Sequence, residues 1–502
     1  MEAGRYIWIA KSSRLDLECR LSILCLAKDQ GTAHSGLICT LSPSTNTVVY
    51  ERGETTIPEA ENVCQDAAKA YPTFRKMPFA KRKEIVTKAL GLIQERKQSL
   101  GEELTLQMGR PIAFGAKEVE TMQKRADYLL KIAEDALQPI PGQSEAGFRR
   151  WIEKEPVGRF PYLIIVNSLI PALLARNPVI LKPSPQAPLV GDRIKEVFDE
   201  AGLPPAVLQV IHSGSTKTLK ELVKIPDINL VTFTGSTQGG RLISEATASR
   251  FVPVSLELGG NDPAYVRPDV DIPFVAEQLL DGAVFNAGQC CCAVERVYVH
   301  TDIHDAFVAE VQKALAQSVF SGPQTSCEFL TLTKVPDINL EIPAGAVNST
   351  SPNPTFTSAP REGNYVVPTV LTQVNHDMVV MKEETFGPVL PIMRVSSDEE
   401  AVQLMNDSDY GLTASVWTQD LAAGERLLKL LDAGTVFINR CDYPNPVSIP
   451  ALHTNLSEVA NHRIQDLAWT GWKNSGMGHT LVPKAFDPFV KLKSYHIREK
   501  QG

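Results

Sequence analysis

The chain has 502 residues, of which 43% are hydrophobic and 22% are charged, and its formal net charge is -8. This length fits two or three domain-sized units and excludes a single small binding module, while the composition is typical of a folded globular protein. The negative charge argues against a general nucleic-acid binder, because such proteins need a basic face.

The nine cysteines show no paired spacing that indicates a disulfide framework or a zinc site. We therefore predict a reducing compartment, the cytoplasm, and no bound metal. The longest apolar stretch, Phe160–Ala175, is interrupted by prolines and polar residues. It is shorter than the roughly 20 residues that span a bilayer, so no membrane segment is predicted.

Residues 1–36 show no clear hydrophobic period and are predicted to form a poorly patterned N-terminal extension. Farther along, apolar residues recur every three or four positions over residues 80–100 and 118–137. This period predicts two amphipathic helices.

From residue 178 to residue 258, short apolar runs alternate with amphipathic segments. The predicted order is strand 178–181, helix 191–201, strand 207–212, helix 218–224, strand 230–234, helix 238–247 and strand 252–258. The alternation predicts βαβ units and a parallel sheet, in which ligands bind at the carboxyl ends of the strands. Further α/β segments cover residues 270–318 and 365–440, and the polar segment 321–364 between them is predicted to be a loop.

Three consecutive cysteines follow a Gly-Gln pair in FNAGQCCCAVERV, residues 285–297. Buried cysteines commonly pack as small apolar groups, which is one interpretation of the cluster. A thiol becomes a nucleophile where a helix N-terminus or a cation lowers its pKa. Gly288, ahead of a predicted helical run, would place Cys291 at such a terminus.

Glu257 lies in an apolar strand within VSLELGGNDPAYV, residues 254–266, just before Gly259 and Gly260. A carboxylate in such a run must be paired, neutral or functional, because an unpaired buried charge is costly. A salt bridge or an edge-strand position is the alternative. The two glycines permit a close backbone approach at the end of the strand, so Glu257 is a candidate general base with a raised pKa.

Three further motifs are weaker when taken separately. VTFTGSTQGGRLI, residues 231–243, predicts a strand, a small-residue turn and a helix whose N-terminal amides can accept pyrophosphate. The turn lacks GxGxxG spacing, so an ordinary capped helix is equally possible. Lys182, in LKPSPQ, is either a ligand of ribose or phosphate or a solvated surface lysine, and EETFGPV, residues 383–389, has no interpretation on its own.

Together and in this order, LELGGNDP, GQCCCA, FTGST and EETFGPV resemble the signatures of the aldehyde dehydrogenase superfamily. The 34-residue separation of Glu257 and Cys291 agrees with the family's pattern. The resemblance runs from about Leu37 to the C-terminus. It implies an α/β fold with a Rossmann-type cofactor domain, an α/β catalytic domain and a β oligomerisation arm.

The resemblance also implies domain bounds and an assembly. The cofactor domain covers residues 37–257, with 138–156 contributing to the oligomerisation arm, and the catalytic domain covers 258–440. Residues 441–502 return to the cofactor domain and end in a strand, KLKSYHIR, residues 491–498. We expect a homodimer or homotetramer whose partner molecule is a small aldehyde, with no nucleic acid and no membrane.

The resemblance implies a role for each candidate residue. Cys291 attacks the aldehyde as a thiolate, the thiohemiacetal gives a hydride to NAD or NADP, and Glu257 activates the water that hydrolyses the thioester. The implied cofactor contacts are Lys182 and Ser184 at the adenosine ribose, Gly235, Ser236 and Gly240 at the pyrophosphate, and Glu384 and Phe386 at the nicotinamide ribose.

One segment departs from the family's pattern, because only Arg159 stands between Gly158 and Phe160. The family has an apolar strand and a Pro-Trp-Asn turn here, and its asparagine binds the oxyanion. Losing one such donor typically costs about 10²- to 10³-fold in rate. The segment therefore predicts a missing strand and supports an alternative function, a catalytically impaired pseudoenzyme that binds nucleotide or a partner.

Two other features bear on function. Pro185 replaces a ribose-binding glutamate that many relatives have, so the sequence does not favour NAD over NADP. A third interpretation, a thioesterase-like hydrolase that uses Cys291 and Glu257 without a cofactor, is weaker because the cofactor motifs are largely present.

Residues 447–465 are an insertion relative to the family's pattern. Our hypothesis is that they are a translated intron, because Val447 and Ser448 can be encoded by GTGAGT and Gln465 by CAG, the usual splice boundaries. A natural surface loop is the alternative, since loop insertions are thermodynamically tolerated. We predict that transcript sequencing finds a message without these codons; a message that encodes them would end the explanation.

Overall fold

The computed structural model describes residues 36–110, 112–157, 160–162, 165–317, 344–353, 364–441 and 467–499. The N-terminal extension up to residue 35, Arg159 and the insertion 447–465 lie outside these ranges, as does most of the predicted loop 321–364. Within the described ranges, no helix combines the length and the apolar character needed to cross a bilayer.

The strands and helices follow each other in the order expected for an α/β protein. The strands are β1 (Leu37–Leu41), β2 (Val48–Gly53), β3 (Ile140–Pro141), β4 (Phe148–Pro156), β5 (Phe160–Tyr162), β6 (Val179–Leu181), β7 (Leu208–Val210), β8 (Val231–Thr234), β9 (Val254–Glu257), β10 (Asp262–Val266), β11 (Val294–His300), β12 (Val347–Asn348), β13 (Thr369–Thr372), β14 (Val389–Val395), β15 (Tyr410–Gly411), β16 (Thr413–Trp417), β17 (Thr435–Ile438), β18 (Trp472–Lys473), β19 (Gly476–Met477) and β20 (Val490–Arg498). The α-helices are α1 (Ile57–Phe74), α2 (Phe79–Glu95), α3 (Lys97–Met108), α4 (Ile112–Ala136), α5 (Ile165–Leu174), α6 (Leu189–Glu200), α7 (Thr216–Leu222), α8 (Thr237–Thr247), α9 (Ile272–Val284), α10 (His304–Gln317), α11 (Asp398–Asn406) and α12 (Leu421–Leu428).

The predicted alternation between residues 178 and 258 is confirmed, with bounds that differ by a few residues. Strands β5, β6 and β7 pair in parallel, β8 and β9 pair in parallel, and β5 lies next to β8. Strand β6 is covered on both faces, with Val179 and Leu181 in one hydrophobic core and Ile180 in the other. Its continuous apolar sequence follows from this double burial.

The expectation of a missing strand beside Arg159 was wrong. Residues Phe160–Tyr162 form β5 and pair in parallel with Val179–Leu181. Three residues are enough, because parallel pairing uses backbone N–H and C=O groups and does not require the family's longer apolar segment.

The predicted helix over residues 80–100 is two helices in the structure. α2 ends at Glu95 and α3 begins at Lys97, with Arg96 between them at φ -95° and ψ 8°. Apolar periodicity alone did not show the break, because residues on both sides keep the same period. The second predicted amphipathic helix corresponds to α4, which begins earlier, at Ile112.

A seven-stranded sheet has the order β12-β13-β14-β11-β10-β16-β17, and its neighbours pair in parallel except for the antiparallel β12. Helices α9 and α10 pack on one face, and α11 and α12 pack on the other. The α/β fold class is confirmed, whereas the predicted domain bounds stay a prediction.

The predicted C-terminal strand is confirmed as β20, which pairs antiparallel with β4 along its whole length, and β3 extends the sheet. Trp151 and Tyr495 stack across this pair with their ring centroids 4.6 Å apart. Leu492 is 63% exposed on β20. The oligomerisation role of this arm stays a prediction.

Arg250 fixes the chain between α7 and β8. Its guanidinium donates to four backbone carbonyl oxygens, those of Val223 and Ile225 at 2.9 Å, Pro226 at 3.0 Å and Ile228 at 2.6 Å. Because one planar group serves four acceptors, its position determines how the chain enters β8.

We expect Arg250→Ala to lower the free energy of unfolding by about 2 kcal/mol, because four carbonyl groups lose a charged donor. Arg250→Lys should recover only part of this loss, since an ammonium group cannot reproduce the planar fork. Urea unfolding followed by circular dichroism measures both changes. Equal stability of the wild type and the alanine variant would contradict the assignment.

Candidate active site

The end of strand β9 is the centre of the candidate site. Glu257 pairs with Thr234 of β8 on one side and with Gly476 of β19 on the other. The Gly235 N–H donates to the Glu257 carbonyl oxygen at 3.2 Å. The turn that contains FTGST and the strand that contains Glu257 are therefore joined by backbone hydrogen bonds.

Two glycines after Glu257 allow two more loops to reach the same point. A Cβ atom at Gly259 would overlap the Glu384 carboxylate, and one at Gly260 would overlap the Cys291 carbonyl oxygen. No residue with a side chain fits these positions without displacing a neighbour. The β9 end, the cysteine turn and the loop of residues 383–388 thus meet in direct contact.

The cysteines lie in a turn, which corrects the expectation that Cys291 begins a helix. Residues Phe285–Gly288 form a short 3-10 turn, Cys290–Cys292 follow in a bend and turn, and β11 starts at Val294. Asn286 and Ala287 have positive φ angles of 52° and 60°. Because this left-handed backbone interrupts a right-handed helix, Cys290–Cys292 do not themselves begin a helix.

The three thiols share their protons. The sulfur atoms all lie within 4.8 Å of one another, and the Sγ atoms of Cys290 and Cys292 are 3.4 Å apart. Hydrogen bonds from Cys291 and Cys292 lower the pKa of Cys290 well below its usual range. The pKa of Cys291 is raised well above its usual range because its thiol donates to Cys290. The thiols titrate as one group whose first thiolate forms on Cys290.

Arg110 is a cation whose charge acts on these thiols, and no motif in the sequence identified it. Its charge helps to lower the pKa of Cys290, and its guanidinium lies 5.5 Å from the ring centroid of Phe285. Arg110 is buried and forms an ion pair with Glu118 at 2.9 Å. Hydrogen bonds from the neighbouring thiols, with a smaller contribution from the charge of Arg110, therefore take the place of the helix terminus that the sequence suggested as the source of thiolate stabilisation.

Burial raises the pKa of Glu257, while a hydrogen bond with Thr480 and the charge of Arg125 partly oppose the rise. The Asn167 amide donates to the Thr480 hydroxyl at 3.5 Å, so helix α5 reaches the same carboxyl group indirectly. A carboxyl with a raised pKa is a stronger base, when ionised, than an ordinary glutamate. The sequence did not identify Thr480, because it is more than 200 residues away along the chain.

Lys182 and Ser184 lie at the end of β6. Lys182 is buried, and its Nζ donates to the neighbouring Pro183 carbonyl oxygen at 3.2 Å. Burial lowers the pKa of Lys182 to about 8, although the charge of Glu54 opposes the shift. Ser184 is exposed, and its Oγ accepts from the Gln186 N–H at 3.2 Å. Within the described part of the chain this desolvated cation donates to a backbone oxygen, which fits a site for an anionic or hydroxyl-bearing ligand.

Ser236 caps helix α8, because its Oγ accepts from the Gly239 N–H at 3.1 Å. Gly235 is exposed just before this cap, whereas Gly240 is buried against Leu258. The start of α8 thus lies beside the end of β9, in the place where a helix dipole favours phosphate.

Glu384 and Phe386 lie on the loop that reaches Gly259. The Gly260 N–H donates to Glu384 Oε1 at 3.1 Å, and burial raises the pKa of Glu384 to about 7. Phe386 is exposed and has a positive φ of 49°. A carboxylate beside an exposed aromatic ring suits a ribose diol and a flat heterocycle. The Glu384 carboxylate and the Phe386 ring, with the α8 terminus and Lys182, fit a dinucleotide.

A buried acid beside these groups was missed by the sequence analysis. Burial and the charge of Glu384 raise the pKa of Glu295 to about 8, although the amides of Thr385 and Phe386 and the Asn261 side chain oppose the rise. The signal was present, because Glu295 is a carboxylate in an apolar strand, the same pattern that identified Glu257.

Comparisons with known proteins agree with this geometry. The family model described as "Aldehyde dehydrogenase family" matches residues 31–495. The 3,6-anhydro-alpha-L-galactose dehydrogenase of Streptomyces coelicolor is 29% identical over 479 residues, which cover 92% of this chain and 93% of the relative.

Two solved structures extend the likeness to the fold. An indole-3-acetaldehyde dehydrogenase in complex with NAD+ has a TM-score of 0.82 and 27% identity, covering 93% of this chain and 95% of that one. An NADP-dependent glyceraldehyde-3-phosphate dehydrogenase from Bacillus halodurans, in complex with NADP, has a TM-score of 0.80 and 28% identity, covering 92% and 96%. The resemblance and the fold predicted from the motifs are confirmed.

We predict that iodoacetamide modifies the cysteine turn with a pH midpoint below about 8.5, the usual thiol pKa. The sign follows from the lowered pKa of the first thiolate, which is present at every pH above that value. Cys290→Ser should move the midpoint upward, because the site of the first thiolate is lost. Mass spectrometry locates the label, and Cys39→Ser is the control that should leave the profile unchanged. A midpoint at or above the usual value in the wild type would contradict the shared-proton arrangement.

Proposed function

The chain belongs to the aldehyde dehydrogenase family, and we propose from this premise that it oxidises an aldehyde to a carboxylic acid with NAD or NADP as the hydride acceptor. The observation that supports this function best is the contact of the β9 end with both the cysteine turn and the Glu384 loop. It brings a thiol, a carboxyl base and a cofactor-binding loop to one place.

Cys291 is the nucleophile in this proposal. Its sulfur bonds to the aldehyde carbonyl carbon, and its proton passes along the existing hydrogen bond to the Cys290 thiolate. Cys290 is therefore the base for this step, and the negative charge moves to the carbonyl oxygen. The product is the oxyanion of a thiohemiacetal on Cys291. A nicotinamide cofactor held by Glu384 and Phe386 would supply the hydride acceptor for that carbon, and loss of the hydride would leave a thioester on Cys291.

Glu257 completes the cycle as the general base. Its carboxylate takes a proton from water, the water oxygen adds to the thioester carbon, and the thiolate leaves with release of the carboxylic acid. The raised pKa of Glu257 makes its carboxylate a stronger base, and Thr480 and Arg125 limit the rise. A retained base at this position favours hydrolysis over transfer of the acyl group to another thiol.

The remaining residues would hold the cofactor. Lys182 and Ser184 would contact the adenosine ribose, and Glu384 and Phe386 the nicotinamide ribose. The amides and hydroxyl at the start of α8, contributed by Gly235, Ser236 and Gly240, would contact the pyrophosphate. Pro185 offers no carboxylate to repel a ribose phosphate, so both NAD and NADP stay candidates.

A second candidate function is an impaired family member that binds nucleotide or a partner without turnover. It rests on Arg159, which stands where the family's pattern has the oxyanion-binding asparagine. Removal of that donor slows acyl transfer while leaving cofactor binding intact.

We also propose a cytoplasmic location and a homodimer or homotetramer built through β3, β4 and β20. The thiol chemistry proposed for Cys290 and Cys291 needs reduced sulfur atoms, which suits a reducing compartment. The exposed apolar side chains of Ile140 on β3 and of Leu492 and Ile497 on β20 suit a surface that a second copy covers.

We expect Cys291→Ala to abolish NAD(P)H formation with a panel of aldehydes, because no other group forms the thioester. Glu257→Gln should allow one burst of NAD(P)H and then stop, since acylation needs no water but deacylation does. Absorbance at the nicotinamide band in stopped flow separates burst from turnover, and Cys39→Ala is the matched thiol control. Full activity of Cys291→Ala would refute the mechanism.

The same assay distinguishes the second candidate. If the wild type binds NADH or NADPH in a fluorescence titration but forms no product with any aldehyde, the impaired family member is the better description.

A further inference from the structure

Glu295 is a buried carboxyl that the proposed mechanism does not use. It lies in β11, four residues after Cys291 and only 2% exposed. We propose that Glu295 is a positioning residue that holds the nicotinamide-ribose loop, residues 383–388, against the cysteine turn. This inference rests on the proposed function for the identity of the ligand, whereas the hydrogen bonds between Glu295 and the loop do not depend on that function.

The contact is made by both oxygens of one carboxylate. Oε2 of Glu295 accepts from the Thr385 N–H at 2.8 Å, and Oε1 accepts from the Phe386 N–H at 2.8 Å. Two successive backbone amides on one carboxylate fix the direction of the loop. The two hydrogen bonds thereby orient the backbone at Phe386 and at its neighbour Glu384.

Asn261 joins Glu295 to the β9 end. Its Nδ2 donates to Glu295 Oε2 and to the Glu383 carbonyl oxygen, both at 3.1 Å. Arg296 Nε donates to the Asn261 carbonyl oxygen at 2.8 Å, which keeps Asn261 in place. Three separate segments, 259–262, 291–296 and 383–386, are thus tied by a continuous set of hydrogen bonds.

Glu295 accepts both amide hydrogen bonds only when its carboxyl group is ionised. A protonated carboxyl would present a hydroxyl donor to one of the two amide donors, so one hydrogen bond would be lost. The titratable groups that interact electrostatically with it are Glu384 on the loop, Asp262 on β10 and Tyr410 on β15. Because the pKa of Glu295 is raised to about 8, experiments are best run at about pH 9, where the carboxylate form dominates.

Glu295→Gln tests the contact with a side chain of the same shape. Glutamine keeps one carbonyl oxygen, but its NH₂ group faces the second amide donor. Glu383→Gln is the matched control, because it removes the same charge from the loop itself while its side chain is exposed.

We expect hydrogen–deuterium exchange to show protected amides at Thr385 and Phe386 in the wild type and in Glu383→Gln, and loss of this protection in Glu295→Gln. The dissociation constant of NADH or NADPH, whichever the wild type binds more tightly, should rise roughly tenfold in Glu295→Gln. Alkylation of the cysteine turn and the thermal unfolding midpoint should change little. If Glu295 served only the stability of the fold, its substitution would instead lower the unfolding midpoint and change cysteine alkylation as well as cofactor binding.

Rapid exchange of the Thr385 and Phe386 amides in the wild type would overturn the proposal. Unchanged exchange or unchanged cofactor affinity in Glu295→Gln would do the same. If Glu295→Gln does not fold, Glu295→Asp, which keeps the charge on a shorter side chain, should show partial protection, and full protection would overturn the proposal. Failure of the wild type to bind either cofactor would refute the proposed function, while the exchange data would still decide whether Glu295 orders the loop.

Discussion

The closeness of three backbone segments at Gly259 and Gly260 is the constraint on which the site depends. The Cys291 carbonyl oxygen and the Glu384 carboxylate occupy the space that side chains would take at these two positions. The nucleophile turn precedes β11 and the cofactor loop precedes β14, two neighbouring strands of the seven-stranded sheet, and both contact one short stretch that follows β9. Removing either contact would separate the chemical groups.

This closeness also concentrates buried acids. Burial raises the pKa values of Glu257, Asp262, Glu295 and Glu384 together. Each carboxyl has its own compensation: the Thr480 hydroxyl for Glu257, Thr413 for Asp262, and backbone amides for the other two. The different partners give the carboxyl groups different roles. Glu295, which accepts from two backbone amides, orders a loop, whereas Glu257, which is held by a hydroxyl, is better able to exchange a proton.

The fold and the main chemical residues could be read from the sequence where the signal is local. Apolar runs with a period of two or 3.6 residues gave the βαβ order, and the motif order gave Cys291, Glu257 and Glu384. The helix expected after Gly288 was wrong, because positive φ angles at Asn286 and Ala287 arise from packing against other segments. The strand β5 was also missed, since its pairing depends on a neighbour rather than on its own composition.

By itself, the sequence determined the family, the parallel-sheet class and the identity of the candidate nucleophile and base, because motif spacing and periodicity are properties of the chain alone. Only the tertiary structure decided where protons and charges reside. The lowered pKa of Cys290, the Thr480 hydrogen bond to Glu257 and the hydrogen bonds of Glu295 to the loop join residues distant along the chain or depend on side-chain direction. The physical reason is that pKa values and hydrogen bonds are set by neighbours within a few ångströms, and folding chooses those neighbours.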